Sequence, residues 1–81
     1  MQSRLMKIMS RLEAMYQDRH IGDQKRTFEQ FGIPVCEVTY HQATGVFEVQ
    51  RVGQVTSRIF DDLDLVAIEV YDAIKEFENI Y

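Results

Sequence analysis

Acidic side chains are the residues of this sequence with the clearest potential for chemistry. Asp61, Asp62 and Asp64 place three carboxylates within four residues, a density that could serve a metal ion or acid–base catalysis. An EF-hand calcium loop also needs regularly spaced oxygen ligands, a central glycine and a glutamate at its twelfth position, and the sequence lacks that pattern. Because an apolar helical stripe begins at Leu63, we predict that Asp61 or Asp62 caps a helix and that the cluster holds no metal.

The cysteine and the histidines are the other side chains with reactive potential. A single cysteine, Cys36, rules out an internal disulfide and zinc sites built on several cysteines. Cys36 alternates in phase with Val38 and Tyr40, which predicts a buried, unreactive thiol. His20 and His41 have no second histidine or cysteine at ligand spacing, so neither is predicted to bind a metal.

Three further acids, Glu29, Glu37 and Glu48, are expected on the exposed face of a sheet. Together they could gather a hard cation, but polar side chains are also what the wet face of a half-buried sheet requires. The sequence has no glycine-rich phosphate loop and no G-x-S-x-G nucleophile motif. These observations predict a protein without catalytic residues and without a cofactor.

Two amphipathic helices frame the chain. Ser3 is a suitable N-cap for a first helix that runs from about Arg4 to Arg19. The first apolar stripe consists of Leu5, Ile8, Met9, Leu12, Met15 and Tyr16, and the second of Leu63, Val66, Ala67, Val70, Ala73, Ile74, Phe77 and Tyr81. Both follow the spacing of one helical face.

Between the helices the apolar period changes from three or four residues to two, which is typical of strands. Short connections force antiparallel neighbours. The last of them, Gly53-Gln54, is predicted to be a tight hairpin turn with the glycine at its first central position. We therefore predict one α+β domain over residues 1–81, a two-layer sandwich of order α-β-β-β-(β)-α with an antiparallel meander and both helices on one face. The predicted strands are Thr27–Phe31, Val35–His41, Val46–Val52 and Val55–Phe60.

The charge is distributed unevenly along the chain. The net charge is −4, yet residues 1–34 hold six Lys/Arg against four acids (+2) and residues 61–81 hold seven acids against one lysine (−6). Arg4, Lys7 and Arg11 share one flank of the first helix and could track phosphates. A sheet that reads single-stranded nucleic acid exposes aromatic rings, whereas the aromatic residues of these strands are predicted to be covered. We therefore expect the basic flank to pair with Glu69, Asp72 and Glu76 of the second helix, in the same or a neighbouring chain, and nucleic acid binding is only an alternative.

Self-association is predicted from the second helix. Leu65 and Ile68, with Tyr71 at the edge, fall opposite the core stripe, and a domain of this size gains stability from a twofold dimer. Strand pairing at the sheet edge is a second geometry for the dimer, and a small-ligand site at a dimer seam is a further alternative. The N-terminal pattern is not that of a signal peptide and no apolar run is long enough to span a bilayer. These features predict a cytoplasmic, homodimeric interaction or regulatory module with an unknown protein partner and no membrane contact.

The order of elements and three sequence runs, LMKIMSRLEAM, FGIPVCEVTYHQATGVFEV and FDDLDLVAIEVYDAI, resemble the YkuJ-like proteins. These are short cytosolic proteins of Gram-positive bacteria that form a family of unknown function. The resemblance covers nearly the whole chain and is weakest from about Asp18 to Arg26. It implies a two-layer fold of order α-β-β-β-α, with or without a fourth short strand, and it implies no activity.

Overall fold

The computed structural model describes residues 3–17 and 22–80. Within them the chain forms two helices and a four-stranded antiparallel sheet in the order β1-β2-β3-β4, which confirms the predicted α+β meander. The helices are α1 (Arg4–Gln17) and α2 (Leu63–Ile80), and the strands are β1 (Gln24–Gln30), β2 (Ile33–His41), β3 (Val46–Arg51) and β4 (Arg58–Phe60).

Helix α1 begins where the sequence predicts. The Ser3 hydroxyl accepts a hydrogen bond from the backbone N–H of Met6 at 3.1 Å, so one of the free N–H groups of the first turn has a side-chain partner. The Ser3 carbonyl accepts the first bond of the helix ladder, from Lys7 at 3.1 Å. The described helix ends at Gln17. The predicted end at Arg19, and His20 beyond it, lie outside the described residues.

The first hairpin differs from its prediction. Strand β1 starts at Gln24 rather than Thr27, and Phe31 belongs to the turn instead of the strand. Phe31 and Gly32 are the two central residues of the turn, with φ values of 57° and 73°, which is the geometry of a type I′ turn. A bulky residue in this region carries a steric cost of about 1–2 kcal/mol. Phe31 was misassigned because its side chain is a strand former and not a turn former.

A β-bulge interrupts the pairing of β1 with β2. Phe28 lies opposite Cys36, while the next residue, Glu29, lies opposite Pro34, so Val35 is the extra residue. Pro34 cannot donate a ladder hydrogen bond, and a bulge is where a strand tolerates that loss. As a result Val35 and Cys36 are both buried, although strict alternation would separate them.

The fourth strand is shorter than its prediction. Only Arg58–Phe60 pairs with β3, and Val55, the predicted first residue, is 97% exposed. The predicted two-residue turn at Gly53-Gln54 is also wrong. The turn closes between the Arg51 carbonyl and the Gln54 N–H at 3.1 Å, and it places Gly53 at its second centre with a φ of 89°, as a type II turn requires.

Both helices pack on the same face of the sheet. The buried apolar side chains form a contiguous cluster to which both helices and the first three strands contribute, and no helix of the described residues is long and apolar enough to cross a membrane. The cluster consists of Ile8, Leu12, Met15, Phe28, Val35, Cys36, Val38, Tyr40, Phe47, Val49, Val66, Ala67, Val70, Ala73 and Ile74.

Candidate functional site

The acidic cluster lies at the start of α2. Asp62 Oδ1 accepts a hydrogen bond from the backbone N–H of Asp64 at 2.9 Å, and the Asp62 carbonyl accepts one from Val66 at 3.2 Å. This is the geometry of an N-cap, which contributes about 1 kcal/mol to helix stability. Asp61 is exposed at the preceding position. Among the described residues there is no group of three His, Cys, Asp or Glu side chains that could hold a metal ion.

The basic flank of α1 contacts α2 through Arg4, but its partner is an acid other than the predicted Glu69, Asp72 and Glu76. Arg4 Nη1 lies 2.7 Å from Glu78 Oε2, so the N-terminus of α1 meets the C-terminus of α2 and the helices run antiparallel. Arg11 stacks 4.4 Å from the centroid of the Phe28 ring and donates to the Thr27 carbonyl at 3.3 Å. Glu69 and Glu76, two of the predicted partners, instead bind arginines of the sheet.

The predicted self-association surface faces solvent. Leu65 is 48% exposed and Ile68 is 55% exposed, and both lie on the side of α2 opposite its buried stripe. Tyr71 is partly buried and packs against the core. Leu65 and Ile68 therefore form an apolar pair that the fold of one chain leaves uncovered.

The open face of the sheet carries a polar network centred on His41. The Nδ1 atom of His41 lies 3.0 Å from Asp23 Oδ2, and its Nε2 atom lies 2.9 Å from Glu48 Oε1. Ser57 donates to the other Glu48 oxygen at 2.5 Å. Since an ionised carboxylate only accepts hydrogen bonds, the two contacts are both hydrogen bonds when both ring nitrogens of His41 carry protons. The network joins the residue before β1, the end of β2, the middle of β3 and the β3–β4 loop.

This network does not have the order of a catalytic triad. In a triad the histidine accepts the proton of the nucleophile, whereas here the Ser57 hydroxyl donates to Glu48 and not to His41. Metal ligation by His41 would need a free nitrogen lone pair, and both nitrogens are engaged. Glu37 lies 3.7 Å from Lys25, so two of the three glutamates predicted on this face have basic or hydroxyl partners.

A cleft opens at one end of the molecule, between the last turns of α2 and the adjoining ends of β2 and β3. Its volume is about 310 Å³. We name it the end cleft. Its lining consists of Ile33, Pro34, Val35, Arg51, Val52, Gln54, Ala73, Glu76, Phe77 and Ile80.

An arginine anchors one wall of the end cleft. Arg51 Nε donates to Glu69 at 2.9 Å, and its Nη1 donates to Glu76 at 2.6 Å. The side chains of Arg51 and Glu69 are only 18% and 11% exposed, whereas Glu76 is 66% exposed. Burial lowers the pKa of Arg51, but the hydrogen bonds and charges of the two glutamates outweigh it and raise that pKa above its ordinary value. Arg58 adds a longer contact to Glu69 at 3.4 Å.

Comparison with known proteins places the chain in a family. The profile described as "Protein of unknown function (DUF1797)" matches residues 8–74, which is more than half of the sequence. The chain belongs to the DUF1797 family. The uncharacterized protein YkuJ of Bacillus subtilis (strain 168) is 28% identical over 78 residues, covering 90% of this chain and 99% of YkuJ. The X-ray structure of the Bacillus subtilis YkuJ protein matches with a TM-score of 0.81 at 28% identity, again over 90% of this chain and 99% of the other.

These matches confirm the resemblance drawn from the sequence and the α+β fold. The DUF1797 description assigns no activity. The matched residues include His41 and Arg51 and end before Phe77 and Ile80.

The pKa of His41 is a testable property of this DUF1797 chain. The hydrogen bond to Glu48, followed by the one to Asp23, raises the pKa of His41 above its ordinary value of 6.5, against a smaller opposing effect of burial. We expect an NMR titration of the His41 ring to give a pKa above 6.5, and Glu48→Gln to lower it. A value at or below 6.5 in the wild-type protein would contradict the hydrogen-bonded network.

The same network makes stability depend on pH in a defined direction. Because the pKa of His41 is raised on folding, protonated His41 stabilises the fold. This contribution to the free energy of unfolding is complete below pH 6.5 and is lost as the pH rises through the pKa of His41 in the folded protein. The hydrogen bond from Ser57, followed by the one from His41, lowers the pKa of Glu48 below 4.5. The contribution of Glu48 to the free energy of unfolding is therefore complete above pH 4.5 and is lost as the pH falls through its pKa in the folded protein. The stability difference between wild type and His41→Gln is therefore expected to be greatest between pH 4.5 and 6.5.

Proposed function

We propose that the chain is a non-enzymatic, cytoplasmic interaction or regulatory module that acts as a homodimer, with the outward side of α2 in the interface. The observation that carries the proposal is the apolar pair Leu65 and Ile68, about half exposed on an otherwise charged helix face. A chain of 81 residues buries only about 60–65% of its unfolded surface, so covering this pair adds to a small core. Twofold dimers are the commonest solution to that problem.

The non-enzymatic part of the proposal is supported by the state of the reactive side chains. Both ring nitrogens of His41 are held by carboxylates, and Ser57 donates to one of those carboxylates. The Cys36 thiol is fully buried, and burial raises its pKa to about 11. A nucleophile needs an adjacent general base or a depressed pKa. The pKa of Cys36 is raised instead, and the carboxylate beside Ser57 is a weakened base because its hydrogen bonds lower the pKa of Glu48.

Nucleic acid binding is less well supported. Two members of the predicted basic flank, Arg4 and Arg11, already have partners within the chain. The aromatic rings of the sheet that could stack on bases, Phe28, Tyr40 and Phe47, are buried. Single-stranded binders combine a basic groove with exposed rings.

The homodimer is tested by sedimentation equilibrium at micromolar concentration. We expect the wild-type chain to give the dimer mass, and the double variant Leu65→Glu with Ile68→Lys to give the monomer mass while its circular dichroism spectrum stays unchanged. Both positions are exposed in the single chain, so the substitutions remove contacts between chains and not core packing.

A matched control is Val55→Glu, which changes an apolar side chain that is 97% exposed and lies in the β3–β4 loop instead of on the outward side of α2. This control should retain the dimer mass. A wild-type monomer would refute the dimer, and a dimer that survives the Leu65/Ile68 substitutions would place the interface elsewhere, with the β1 edge as the next surface to test.

A further inference from the structure

We propose that the outer edge of β1 is a strand-pairing surface for a second copy of the chain, and that Arg11 and Arg26 hold it closed. This edge belongs to a different element from the Leu65/Ile68 face of α2. The proposal does not depend on the homodimer, because a monomeric chain has the same edge.

The hydrogen bonding of the sheet shows which backbone groups β1 turns outward. The Val52 N–H donates to the Val35 carbonyl at 2.9 Å, so Val35 and every second residue after it in β2 turn their N–H and C=O groups towards β3. The residues between them turn theirs towards β1, and one of these, Cys36, lies opposite Phe28. The backbone of Phe28 therefore faces β2, and that of Thr27 faces away from the sheet.

Three residues of β1 share this outward direction. The extra residue of the bulge belongs to β2, so the alternation of β1 is unbroken and Lys25, Thr27 and Glu29 all present N–H and C=O groups at the edge. Strand β1 is the outermost strand in the order β1-β2-β3-β4. The side chains of the three residues are exposed on the open face of the sheet. Such an edge is a template for a further strand unless something protects it.

The order of charges along this edge fits a second copy of the same strand. Lys25 and Glu29 lie at equal distances along the chain on either side of Thr27. An antiparallel pairing centred on Thr27 places Lys25 opposite the partner's Glu29, and Glu29 opposite the partner's Lys25. Opposite charges directly across a ladder stabilise strand pairing, and this arrangement supplies the pair twice.

The other free edge of the sheet is a poorer match for β1. Strand β4 consists of Arg58–Phe60, which carries a cation and no acid. Asp62 beyond it accepts the hydrogen bond that caps α2, so it does not extend the strand. Strand β4 therefore offers Lys25 no opposite charge, whereas a second β1 does.

Two arginines occupy the outward carbonyls of the edge. Arg26 Nη1 donates to the Lys25 carbonyl at 3.1 Å, and Arg11 Nη2 donates to the Thr27 carbonyl at 3.3 Å. The guanidinium of Arg11 also lies over the Phe28 ring, 4.4 Å from its centroid, which keeps it beside the edge. In a ladder the same carbonyls accept the N–H groups of the incoming strand, so a second copy has to compete with both arginines.

The symmetry of the pairing adds repulsion to this competition. Because Thr27 would lie opposite itself, the Arg11 side chains of the two copies, each bound at a Thr27 carbonyl, would meet at the twofold axis. Two like charges at short range oppose association, and charged side chains are a common protection of sheet edges. The β1 edge is thus complementary to itself in its strand and closed by its arginines.

The test is disulfide formation at the twofold axis. Residues of a hydrogen-bonded pair have Cα atoms about 5.5 Å apart, a distance that suits a disulfide, so Thr27→Cys reports pairing centred on this position. Cys36, the only cysteine of the natural sequence, is fully buried. Adding Arg11→Met and Arg26→Met should raise the rate of cross-linking under mild oxidation roughly tenfold or more, because both donors and the repulsion are removed. Methionine retains an apolar cover over Phe28.

Charge reversal tests the register. With both arginines replaced, Lys25→Glu alone and Glu29→Lys alone should each lower the rate to that of Thr27→Cys by itself, because like charges then face each other. An equimolar mixture of these two variants should restore fast cross-linking, since every pair across the axis is then of opposite sign. Lys25→Glu also faces Glu37 within its own chain, but mixing leaves that contact unchanged, so the rescue reports only the contact between copies.

Two controls separate release of the edge from added stickiness or lost structure. Lys7→Met introduces a methionine on the same flank of α1, and within the described residues Lys7 donates to no β1 carbonyl, so it should leave the rate unchanged. Ile59→Cys places the thiol on β4, where the side chain is 66% exposed, and its cross-linking should not respond to the arginine substitutions. Thermal unfolding followed by circular dichroism verifies that each variant is folded at the temperature of the assay.

Four outcomes would overturn the proposal. Cross-linking that is no faster without the arginines would show that they do not guard the edge, and fast cross-linking of Thr27→Cys with both arginines present would show that the edge is open. Charge reversal without effect would refute the register. In a mixture of arginine-free Thr27→Cys and Ile59→Cys chains, a predominant product joining positions 27 and 59 would make β4 the occupant.

The rates are also measured in chains that carry Leu65→Glu with Ile68→Lys. The same acceleration is expected there, because the β1 edge does not involve that face of α2. Loss of the α2 dimer with retained acceleration would refute only the proposed dimer, and the reverse result would refute only the guarded edge.

Discussion

Replacing Arg51 with methionine is expected to lower the free energy of unfolding by about 2–4 kcal/mol. The substitution leaves Glu69, which is 11% exposed, with only the longer contact to Arg58 at 3.4 Å. A largely buried carboxylate without its close partner retains its desolvation cost and loses most of its attraction. For a chain of this length the total stability is roughly 4–12 kcal/mol, so one side chain accounts for a large share of it.

Urea denaturation followed by circular dichroism measures this loss. Glu76→Gln is the matched control, because it removes the exposed partner of the same arginine and should cost less than about 1 kcal/mol. The double variant Arg51→Met with Glu69→Leu should recover much of the loss, since it replaces the charge pair by apolar groups. A single Arg51→Met variant as stable as wild type would mean that the contact to Glu69 is too solvated to matter.

The elements with regular periodicity could be predicted from the sequence. The apolar stripe of α2 predicts Val66, Val70 and Ile74 as core residues, because one face of the helix must cover the sheet. All three are buried. The alternation of apolar and polar residues in β2 predicts that Cys36, Val38 and Tyr40 face the core, and these three are also buried. In both cases local spacing and tertiary packing favour the same structure.

The features that escaped prediction are those where local preference and the fold disagree. Phe31 has the side chain of a strand residue and the backbone of a turn residue, and Pro34 lies in a central strand, where proline is normally excluded. Arg51 could have been found, since it follows Phe47 and Val49 at a spacing of two and so points to the covered side. A charged residue in that phase calls for a buried partner, but sequence alone does not identify Glu69. Two of these exceptions, Pro34 and Arg51, line the end cleft.

Cys36 is expected to react with a thiol reagent at least a thousandfold more slowly in the native protein than in denaturant. Burial raises the pKa of the thiol from 9.0 to about 11, with a smaller opposing effect of Arg51 and a further increase from Glu69. This shift alone reduces the thiolate about a hundredfold at neutral pH. The side chain is also 0% exposed, so the reagent reaches it only when the structure opens, which at the stability expected here occurs for a fraction on the order of 10⁻³ or less.

The Arg51→Met variant distinguishes the two routes by which the thiol could react. If the reagent attacks the native protein directly, loss of the Arg51 charge, which lowers the pKa of Cys36, should slow the reaction. If the reaction waits for unfolding, the same substitution should speed it roughly 30-fold or more, as a loss of 2 kcal/mol or more requires. The rates are measured under native conditions at low reagent concentration. A faster reaction of the variant supports unfolding as the route and shows that the protection of Cys36 depends on the stability that Arg51 contributes. Equal rates for the native and denatured wild-type protein would contradict the burial of Cys36 and with it the register of β2.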